Sequence, residues 1–265
     1  MGYLEKAVAI FKEKGLGYTV NMAVSKIMAR KIKNYSLLAD LFRDKYGLEV
    51  GGPSGIFKTR GFIPLYSIIK GVDGCNFSTK TIWEGNIEAG ETYVFQDDKK
   101  GYQYISEASD LSLIPGSKYD FVISSHCLEH VANPLKAVSE WLRVLKKDGI
   151  ILIVLPNKEY TFDHNRPVTK IAHLVDDYNA NTGEDDLTHL EEVLKLHDLK
   201  KDKLAGSFEA FRERGLQNFE KRSLHHHVFD VALLKEIFGF FKVEVLLTHD
   251  KTRDLVIVGR KVNNQ

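Results

Sequence analysis

The chain has 265 residues, with 37 lysines and arginines against 36 aspartates and glutamates. This length is enough for one large α/β domain, and the balanced charge argues against a nucleic-acid partner, whose phosphates would require a basic surface. Two cysteines are too few for a disulfide framework, and no apolar run is long enough to span a membrane. We therefore expect a cytoplasmic protein that acts on small molecules, with no secretory signal and no integral membrane segment.

The first 45 residues predict a helical arm. Apolar side chains recur at helical spacing through the segments LEKAVAIFKEKG, YTVNMAVSKIMARKIKNY and SLLADLFRDKY. Residues 1–35 carry seven basic and two acidic side chains. Such an arm can pack on the domain, join a second subunit in a homodimer, or contact a polymeric substrate or the inner membrane surface.

Residues 46–262 predict one domain built on a mostly parallel sheet. Up to about residue 157, short apolar runs alternate with helical segments, as in successive β-α units. The predicted strands are YGLEV, IIKGVDG, YQYI, YDFVISS and GIILIVLP. A polar insertion follows at about 158–222, and then a helix from near Asp230 and two strands, FKVEVLL and DLVIVGR, complete the domain.

The predicted strand ends carry polar residues where open parallel sheets bind ligands. The first strand leads into EVGGPSG, in which Pro53 occupies the position of the second glycine of a dinucleotide fingerprint. Asp73 follows the second strand, where a carboxylate can accept hydrogen bonds from both hydroxyls of a ribose. These features predict a nucleoside pocket without a diphosphate-binding loop.

Residues 119–157, YDFVISSHCLEHVANPLKAVSEWLRVLKKDGIILIVLPN, resemble the class I methyltransferases that use S-adenosylmethionine. The shared pattern has a fourth strand leading into L-E-H, a helix ending in R-V-L-K, and a fifth strand ending in P-N. The resemblance continues in HHHVFDVALLKEIFGFFKVEVL, and leaves the arm and the insertion outside it. It implies an α/β three-layer sandwich whose seven-stranded sheet is parallel except for one antiparallel strand.

The resemblance also implies which residues bind S-adenosylmethionine, with S-adenosylhomocysteine as the product. They are Glu49, Gly51, Gly52 and Gly55 after the first strand, Asp73 at the ribose, Glu107 and Ala108 at the adenine, and Ser124, Ser125 and His126 after the fourth strand. A sulfonium with a zwitterionic tail requires carboxylates and loop amides rather than a phosphate nest, and Glu49 meets that requirement.

The sulfonium methyl group is already activated, so the protein has to align an acceptor and, for a hydroxyl, remove its proton. Among ten histidines, the candidates for this base are His126, His164 in TFDHNRPVT, and His227 in HHHVFD, and Arg166 is a candidate contact for an anionic acceptor. No metal ligands are assigned, because the spacing of Asp163, Asp176, Asp177, Glu184 and the nearby histidines is not diagnostic. A divalent metal is left open but not favoured.

The expected function is methyl transfer to an oxygen of a small polar acceptor. A sugar, a nucleotide-linked sugar or a surface-glycan component is the first choice, because the polar insertion also carries Tyr160, Phe162 and Tyr178. Three alternatives remain at this point. They are a phosphate, phosphoramidate or small carboxylate acceptor, a catalytically silent module that binds S-adenosylmethionine, and a nicotinamide-dependent oxidoreductase.

Overall fold

The computed structural model describes residues 31–81, 83–202 and 204–262. Most of the predicted arm therefore lies outside the described residues, and its role in a homodimer or at a membrane stays a prediction. Its final part forms helix α1 (Tyr35–Phe42). This helix buries Leu38 and Phe42, and the Phe42 ring packs edge to face on Phe121 of the sheet, 5.2 Å between centroids.

Eight strands form the main sheet, in the order β5-β6-β2-β1-β7-β8-β10-β9. They are β1 (Tyr46–Val50), β2 (Gly71–Asn76), β5 (Gly90–Gln96), β6 (Lys99–Ile105), β7 (Tyr119–Ser125), β8 (Leu145–Pro156), β9 (Val243–His249) and β10 (Asp254–Lys261). The neighbours from β6 to β8 are parallel, and β10 runs antiparallel between β8 and β9. A two-stranded ribbon, β3 (Lys80–Thr81) and β4 (Gly85–Asn86), lies apart.

The predicted α/β class with a mostly parallel sheet is confirmed, but the main sheet has eight strands instead of seven. The additional strand is β5, which forms an antiparallel hairpin with β6 at the sheet edge. Its sequence alternates, with Tyr93 and Phe95 buried on one face, and Asp97 adopts a positive φ of 45° in the turn. This strand supplies a side chain to the loop after β1, as shown below.

Helices and loops cover both faces of the sheet. The helices after α1 are α2 (Pro134–Val144), α3 (Ile171–Ala180), α4 (Leu190–Leu196), α5 (Phe208–Leu216), α6 (Asn218–Lys221) and α7 (Val231–Phe240). One face packs against α2, α3 and α7, around the fully buried Trp141, and the other against α1 and the chain at 54–69, around Phe57 and Tyr66. None of the helices in the described ranges has both the length and the apolar character that a membrane crossing requires.

Short polar interactions define where two of these helices begin. Asn133 caps α2 by accepting a hydrogen bond from the Lys136 backbone N–H at 3.0 Å, and Pro134 occupies the first helical position. Asp230 caps α7 in the same way through Leu233. The insertion at 158–222 carries α3 to α6 and has a small apolar cluster of its own around Val193 and Phe211. It lies over the carboxyl ends of the parallel strands.

Candidate active site

A cavity of about 460 Å³ opens at the carboxyl ends of the parallel strands. Residues at or after the ends of β1, β2, β6 and β7 form one part of the lining, and residues of the insertion, of the segment that follows it and of the β3–β4 turn form the other. The first group is Gly51, Pro53, Ser54, Asn76, Phe77, Ser106, Glu107, Ala108, Ser125, His126, Cys127, Glu129 and His130, and the second includes Trp83, Phe162, Arg214, Arg222 and His225.

Glu49 lies beneath this cavity and does not line it. Its fully buried carboxylate accepts hydrogen bonds from the hydroxyls of Tyr66 and Tyr93, both at 2.7 Å, and from the Ser54 backbone N–H at 3.0 Å. Burial raises the pKa of Glu49, and these hydrogen bonds act in the opposite direction. The predicted direct contact with the cofactor is therefore not supported, and Glu49 instead holds the loop after β1 in its shape.

The glycines of EVGGPSG have three different surroundings. Gly51 lines the cavity with a φ of +82°, and a side chain there would lie 2.8 Å from Cβ of Cys127. A side chain at Gly52 would overlap the Glu49 carboxylate and the Tyr93 hydroxyl, so packing beneath the loop requires that glycine. Gly55 begins a short 3-10 turn and does not line the cavity.

Asp73 does not lie at the strand end where the sequence prediction placed it. The strand β2 continues to Asn76, so Asp73 lies inside the strand, 2% exposed, and not at its end. Its carboxylate accepts hydrogen bonds from the Tyr119 hydroxyl at 2.7 Å, the Tyr102 backbone N–H at 2.9 Å and the Lys118 ammonium at 3.2 Å. These contacts are structural, and Asp73 does not line the cavity, so the predicted ribose contact is not supported.

Asn76 occupies the strand end that Asp73 was expected to occupy. Its amide Nδ2 donates to the Gly52 carbonyl oxygen at 3.0 Å, which connects the end of β2 to the loop after β1. Its side-chain oxygen remains as an acceptor at the cavity wall.

Glu107 and Ala108 both line the cavity, as the sequence suggested for an adenine site. The Glu107 carboxylate forms a bidentate pair with the Arg222 guanidinium, at 2.7 and 3.0 Å, and Arg222 also pairs with Glu184 at 2.9 Å. The Ala108 carbonyl accepts a hydrogen bond from the Trp141 indole at 2.9 Å. Glu107 thus ties the insertion to the sheet across the cavity.

The end of β7 separates the two predicted serines. Ser125 lines the cavity, whereas Ser124 is buried and donates its hydroxyl to the Val50 carbonyl at 3.0 Å. His126 follows with a positive φ of 53° and lines the cavity, and its Nε2 lies 2.9 Å from the Asp254 carboxylate. Burial lowers the pKa of His126, but Asp254 and Glu129 raise it above its usual value overall.

Glu129 is the most unusual group at the cavity, and sequence reasoning assigned it no role. It is 1% exposed, and neither carboxylate oxygen has a hydrogen-bond partner among the described residues. His126 Nδ1 is 3.7 Å from Oε1, and a ligating atom of Glu129 lies within 4.8 Å of those of His130 and His225. Burial raises the pKa of Glu129. The available signal was the acid in the L-E-H segment, directly after a buried strand.

Two further histidines, His130 and His225, lie close to Glu129. His130 Nδ1 lies 3.0 Å from the Leu224 carbonyl, which accepts its proton and leaves Nε2 as the free acceptor. Burial lowers the pKa of His130 well below its usual range. His225 Nδ1 pairs with the Asp163 carboxylate at 2.5 Å.

The other predicted catalytic residues lie outside the cavity lining. His164 pairs with Asp198 at 2.9 Å within the insertion. Arg166 is 1% exposed and donates to Asp163, to Glu192 and to the carbonyls of the HHH segment. His227 is 1% exposed and lies beside Asp177. The roles predicted for these three residues in catalysis or acceptor binding are not supported, because their polar atoms are directed at other parts of the protein.

Two groups of side chains in the described part of the chain could hold a metal ion. Glu129, His130 and His225 meet at the cavity, and a second group, His173, Asp177, His189 and His227, meets outside it. Of the four acids named from the sequence, Asp177 belongs to the second group, whereas Asp163 pairs with Arg166 and Glu184 with Arg222.

Comparison with known proteins shows the family to which this chain belongs. A model of the methyltransferase domain matches residues 23–230. Among solved structures, a methyltransferase dependent on S-adenosylmethionine from Methanosarcina mazei is 17% identical, with a TM-score of 0.47 over 88% of this chain and 100% of that one. A second, from Mesorhizobium loti, is 12% identical, with a TM-score of 0.49 over 85% and 95%.

A third similar structure, from Thermotoga maritima, is described as a possible histamine N-methyltransferase, at 16% identity and a TM-score of 0.41 over 96% and 99% of the two chains. At these identities the structures say nothing about the acceptor. Among curated proteins, no relative matches the chain. Since the domain match covers well over half of the sequence, the oxidoreductase alternative is wrong. The chain belongs to the methyltransferase domain family, and its methyl donor is S-adenosylmethionine.

Proposed function

We propose that the protein transfers the methyl group of S-adenosylmethionine to a hydroxyl oxygen of a small polar acceptor, and that Glu129 accepts the hydroxyl proton. The Glu129 carboxylate carries this proposal, since it lines the cavity, is almost completely buried and has no hydrogen-bond partner in the described residues. A buried carboxylate without a partner is unfavourable, and the O–H of a bound acceptor would supply one.

The surroundings of Glu129 suit a base. The raised pKa brings its proton affinity closer to that of the hydroxyl in the transition state. In the reaction, a bond forms between the acceptor oxygen and the methyl carbon, the carbon–sulfur bond breaks with its electrons going to sulfur, and the acceptor proton passes to Glu129. His126, held by Asp254, lies on one side of the carboxylate, and His225, held by Asp163, lies near it as well.

The chain's residues fit the proposed cofactor. The cavity volume falls within the range of about 300–1,000 Å³ that is usual for small-molecule sites. Gly51 presents backbone without a side chain, and the Asn76 oxygen can accept a hydrogen bond from a ribose hydroxyl. When bound, S-adenosylmethionine supplies an electrophilic methyl group and a sulfonium charge.

The cavity mouth favours a sugar, a nucleotide-linked sugar or a glycan component as the acceptor. Trp83, which is 53% exposed, and Phe162 offer aromatic faces for the C–H face of a sugar ring, and Glu84, Asp202 and Arg214 offer polar groups for its hydroxyls. A phosphate or carboxylate acceptor is less well supported, because Arg222 in the cavity lining already pairs with Glu107 and Glu184, and Arg214 donates to the Leu204 carbonyl and lies 3.9 Å from Asp202.

An acceptor panel tests this proposal directly. We expect transfer of a labelled methyl group to sugars, nucleotide-linked sugars or glycan fragments, and none to amines, inorganic phosphate or simple carboxylates. Turnover restricted to an amine, a phosphate or a carboxylate would contradict the proposed acceptor class. If S-adenosylhomocysteine binds in calorimetry but no acceptor of any class is methylated, the silent binding module becomes the better description.

The ribose contact can be tested by comparing two neighbouring positions on β2. We expect Asn76→Ala to weaken S-adenosylhomocysteine binding about 3- to 10-fold, which is the effect of one neutral hydrogen bond. Asp73→Asn should leave this affinity unchanged within about twofold but lower the free energy of unfolding by about 1–3 kcal/mol, because buried donors lose their acceptor. Calorimetry and urea denaturation measure the two effects. A larger loss of affinity in Asp73→Asn than in Asn76→Ala would show that Asp73, and not Asn76, contacts the ribose.

A further inference from the structure

Four side chains from three segments of the chain meet beside the cavity, at a place that methyl transfer does not use. His173 and Asp177 lie one turn apart on α3, His189 directly precedes α4, and His227 belongs to the segment before α7. One potential ligating atom from each lies within 4.8 Å of all the others. The spacing of four residues puts the first two on the same face of the helix.

The distances within this cluster match a tetrahedral metal site. Metal bonds of about 2.0–2.1 Å to four ligands place neighbouring ligand atoms roughly 3.3–3.5 Å apart. The observed separations are 3.0 Å between Nε2 of His173 and His189, 3.3 Å between Nε2 of His173 and Oδ2 of Asp177, and 3.2 Å between Nε2 of His227 and the same oxygen.

The two hydrogen bonds within the cluster, between Nε2 of His173 and His189 and between His227 and Asp177, can form together. The 3.3 Å approach of His173 Nε2 to Asp177 Oδ2 is an ion-pair distance and not a hydrogen bond. A cation at the centre can replace all three contacts, because the imidazoles then present lone pairs and Asp177 an anionic oxygen.

The surroundings orient Asp177 toward the centre of the cluster. The Thr182 hydroxyl donates to Oδ1 at 3.1 Å, which leaves Oδ2 directed at the histidines, and the Asn133 side chain donates to the Asp177 backbone carbonyl at 2.9 Å. Such outer hydrogen bonds are typical of metal-binding carboxylates. The His227 side chain is fully buried, whereas that of His173 is 40% exposed, so an ion can enter from the α3 side.

We propose that His173, Asp177, His189 and His227 bind one divalent transition-metal ion, zinc by preference, in a closed tetrahedral site. Three imidazoles and a carboxylate suit zinc, and a site with four protein ligands is structural rather than catalytic. The ion joins α3 and the start of α4 to the segment before α7, two residues from His225, which lines the cavity. Its role is to hold the insertion, and with it the His225 wall, against the sheet.

Titration of chelator-treated protein with Co²⁺ tests the site. The wild type is expected to bind one equivalent with the intense visible absorption of tetrahedral cobalt, and Zn²⁺ is expected to displace it. His189→Gln and, independently, Asp177→Asn should each weaken binding by about 100-fold or more, because each removes a ligand. Saturating Zn²⁺ should raise the wild-type Tm by about 5–10 °C, and raise that of the two variants by much less.

Two further variants separate this site from its alternatives. His249→Gln, on β9, replaces a histidine that contacts Thr252 and serves as the matched control that keeps the metal. Glu129→Gln should also keep it, since Glu129 belongs to the cavity group. The proposal is overturned if the wild type binds neither ion, if the bound cobalt is octahedral, if both ligand variants retain full affinity, or if Glu129→Gln loses the ion while His189→Gln keeps it.

Discussion

Glu129→Gln is expected to lower the rate of methyl transfer by about 100- to 10,000-fold, the usual contribution of a general base. Glutamine has nearly the same shape but cannot accept the acceptor's proton. Binding of S-adenosylhomocysteine should change by no more than about threefold, since the carboxylate is proposed to act on the acceptor. Initial rates with the best acceptor of the panel and calorimetry with S-adenosylhomocysteine measure the two effects separately.

Glu159→Gln is the matched control, because it makes the same change at a glutamate whose side chain is 70% exposed, and its rate should equal that of the wild type. The pH dependence gives a second readout. Because burial raises the pKa of Glu129, the wild-type rate should fall as the pH drops through that raised value and the base becomes protonated. An acidic limb that persists unchanged in Glu129→Gln, or a variant that turns over at the wild-type rate, would show that another group is the base.

Arg166→Met should be the most destabilising of the substitutions considered, with a loss of about 3–5 kcal/mol in the free energy of unfolding at neutral pH. Arg166 is almost fully buried and donates to the Asp163 carboxylate at 3.0 Å and to the carbonyls of His225 and His226 at 2.8 and 3.0 Å. Methionine fills the space of the side-chain stem but leaves these buried acceptors without donors. Urea denaturation of variant and wild type measures the difference.

The pH dependence of the stability difference between Arg166→Met and the wild type identifies the cause of that difference. Burial raises the pKa of Asp163, but His225 and Arg166 lower it overall to about 2, below the unfolded value of about 3.9. The stability that this ionised carboxylate contributes is present above the unfolded pKa and is lost as the pH falls toward 2. The difference in the free energy of unfolding between Arg166→Met and the wild type should therefore become smaller below about pH 4. Arg212→Met, at an exposed position on α5, should leave stability nearly unchanged, and an equal loss there would show that the loss in Arg166→Met does not depend on the buried ion pair.

The strands and helices of the sheet could be predicted where the local sequence pattern is strong. The segment from β7 through α2 to β8 has a continuous apolar strand, a capped helix and a second apolar strand, so its sequence indicated both the elements and the family, which the domain match confirms. The strand β5 was missed, although Tyr93 and Phe95 alternate in it, because a single short alternating segment does not reveal its partner strand. For the same reason the end of β2 was predicted too early in the chain, and Asp73 was therefore assigned to the position that Asn76 occupies.

The candidate site residues also divide into those whose position the sequence indicated and those whose position only the fold decided. Gly51, Ser125, His126, Glu107 and Ala108 lie at or shortly after strand ends, and all five line the cavity. His164 and Arg166 are as polar as those residues and lie just after β8, but the insertion folds so that their side chains pair with Asp198 and Asp163. A polar side chain in a long irregular segment can point toward a ligand or toward a protein partner, and its sequence neighbours do not distinguish the two.

The sequence by itself determined the α/β class, because strand and helix periodicity are local properties of consecutive residues, and the resemblance of residues 119–157 to the class I methyltransferases implied the family and the cofactor. Only the tertiary structure decided which carboxylate is left without a partner. Glu49, Asp73, Asp163 and Glu129 are all buried acids, and the first three are satisfied by groups between 3 and 62 positions away in the chain. Glu129 alone among these four has none, because the folded chain brings a cavity to its carboxylate.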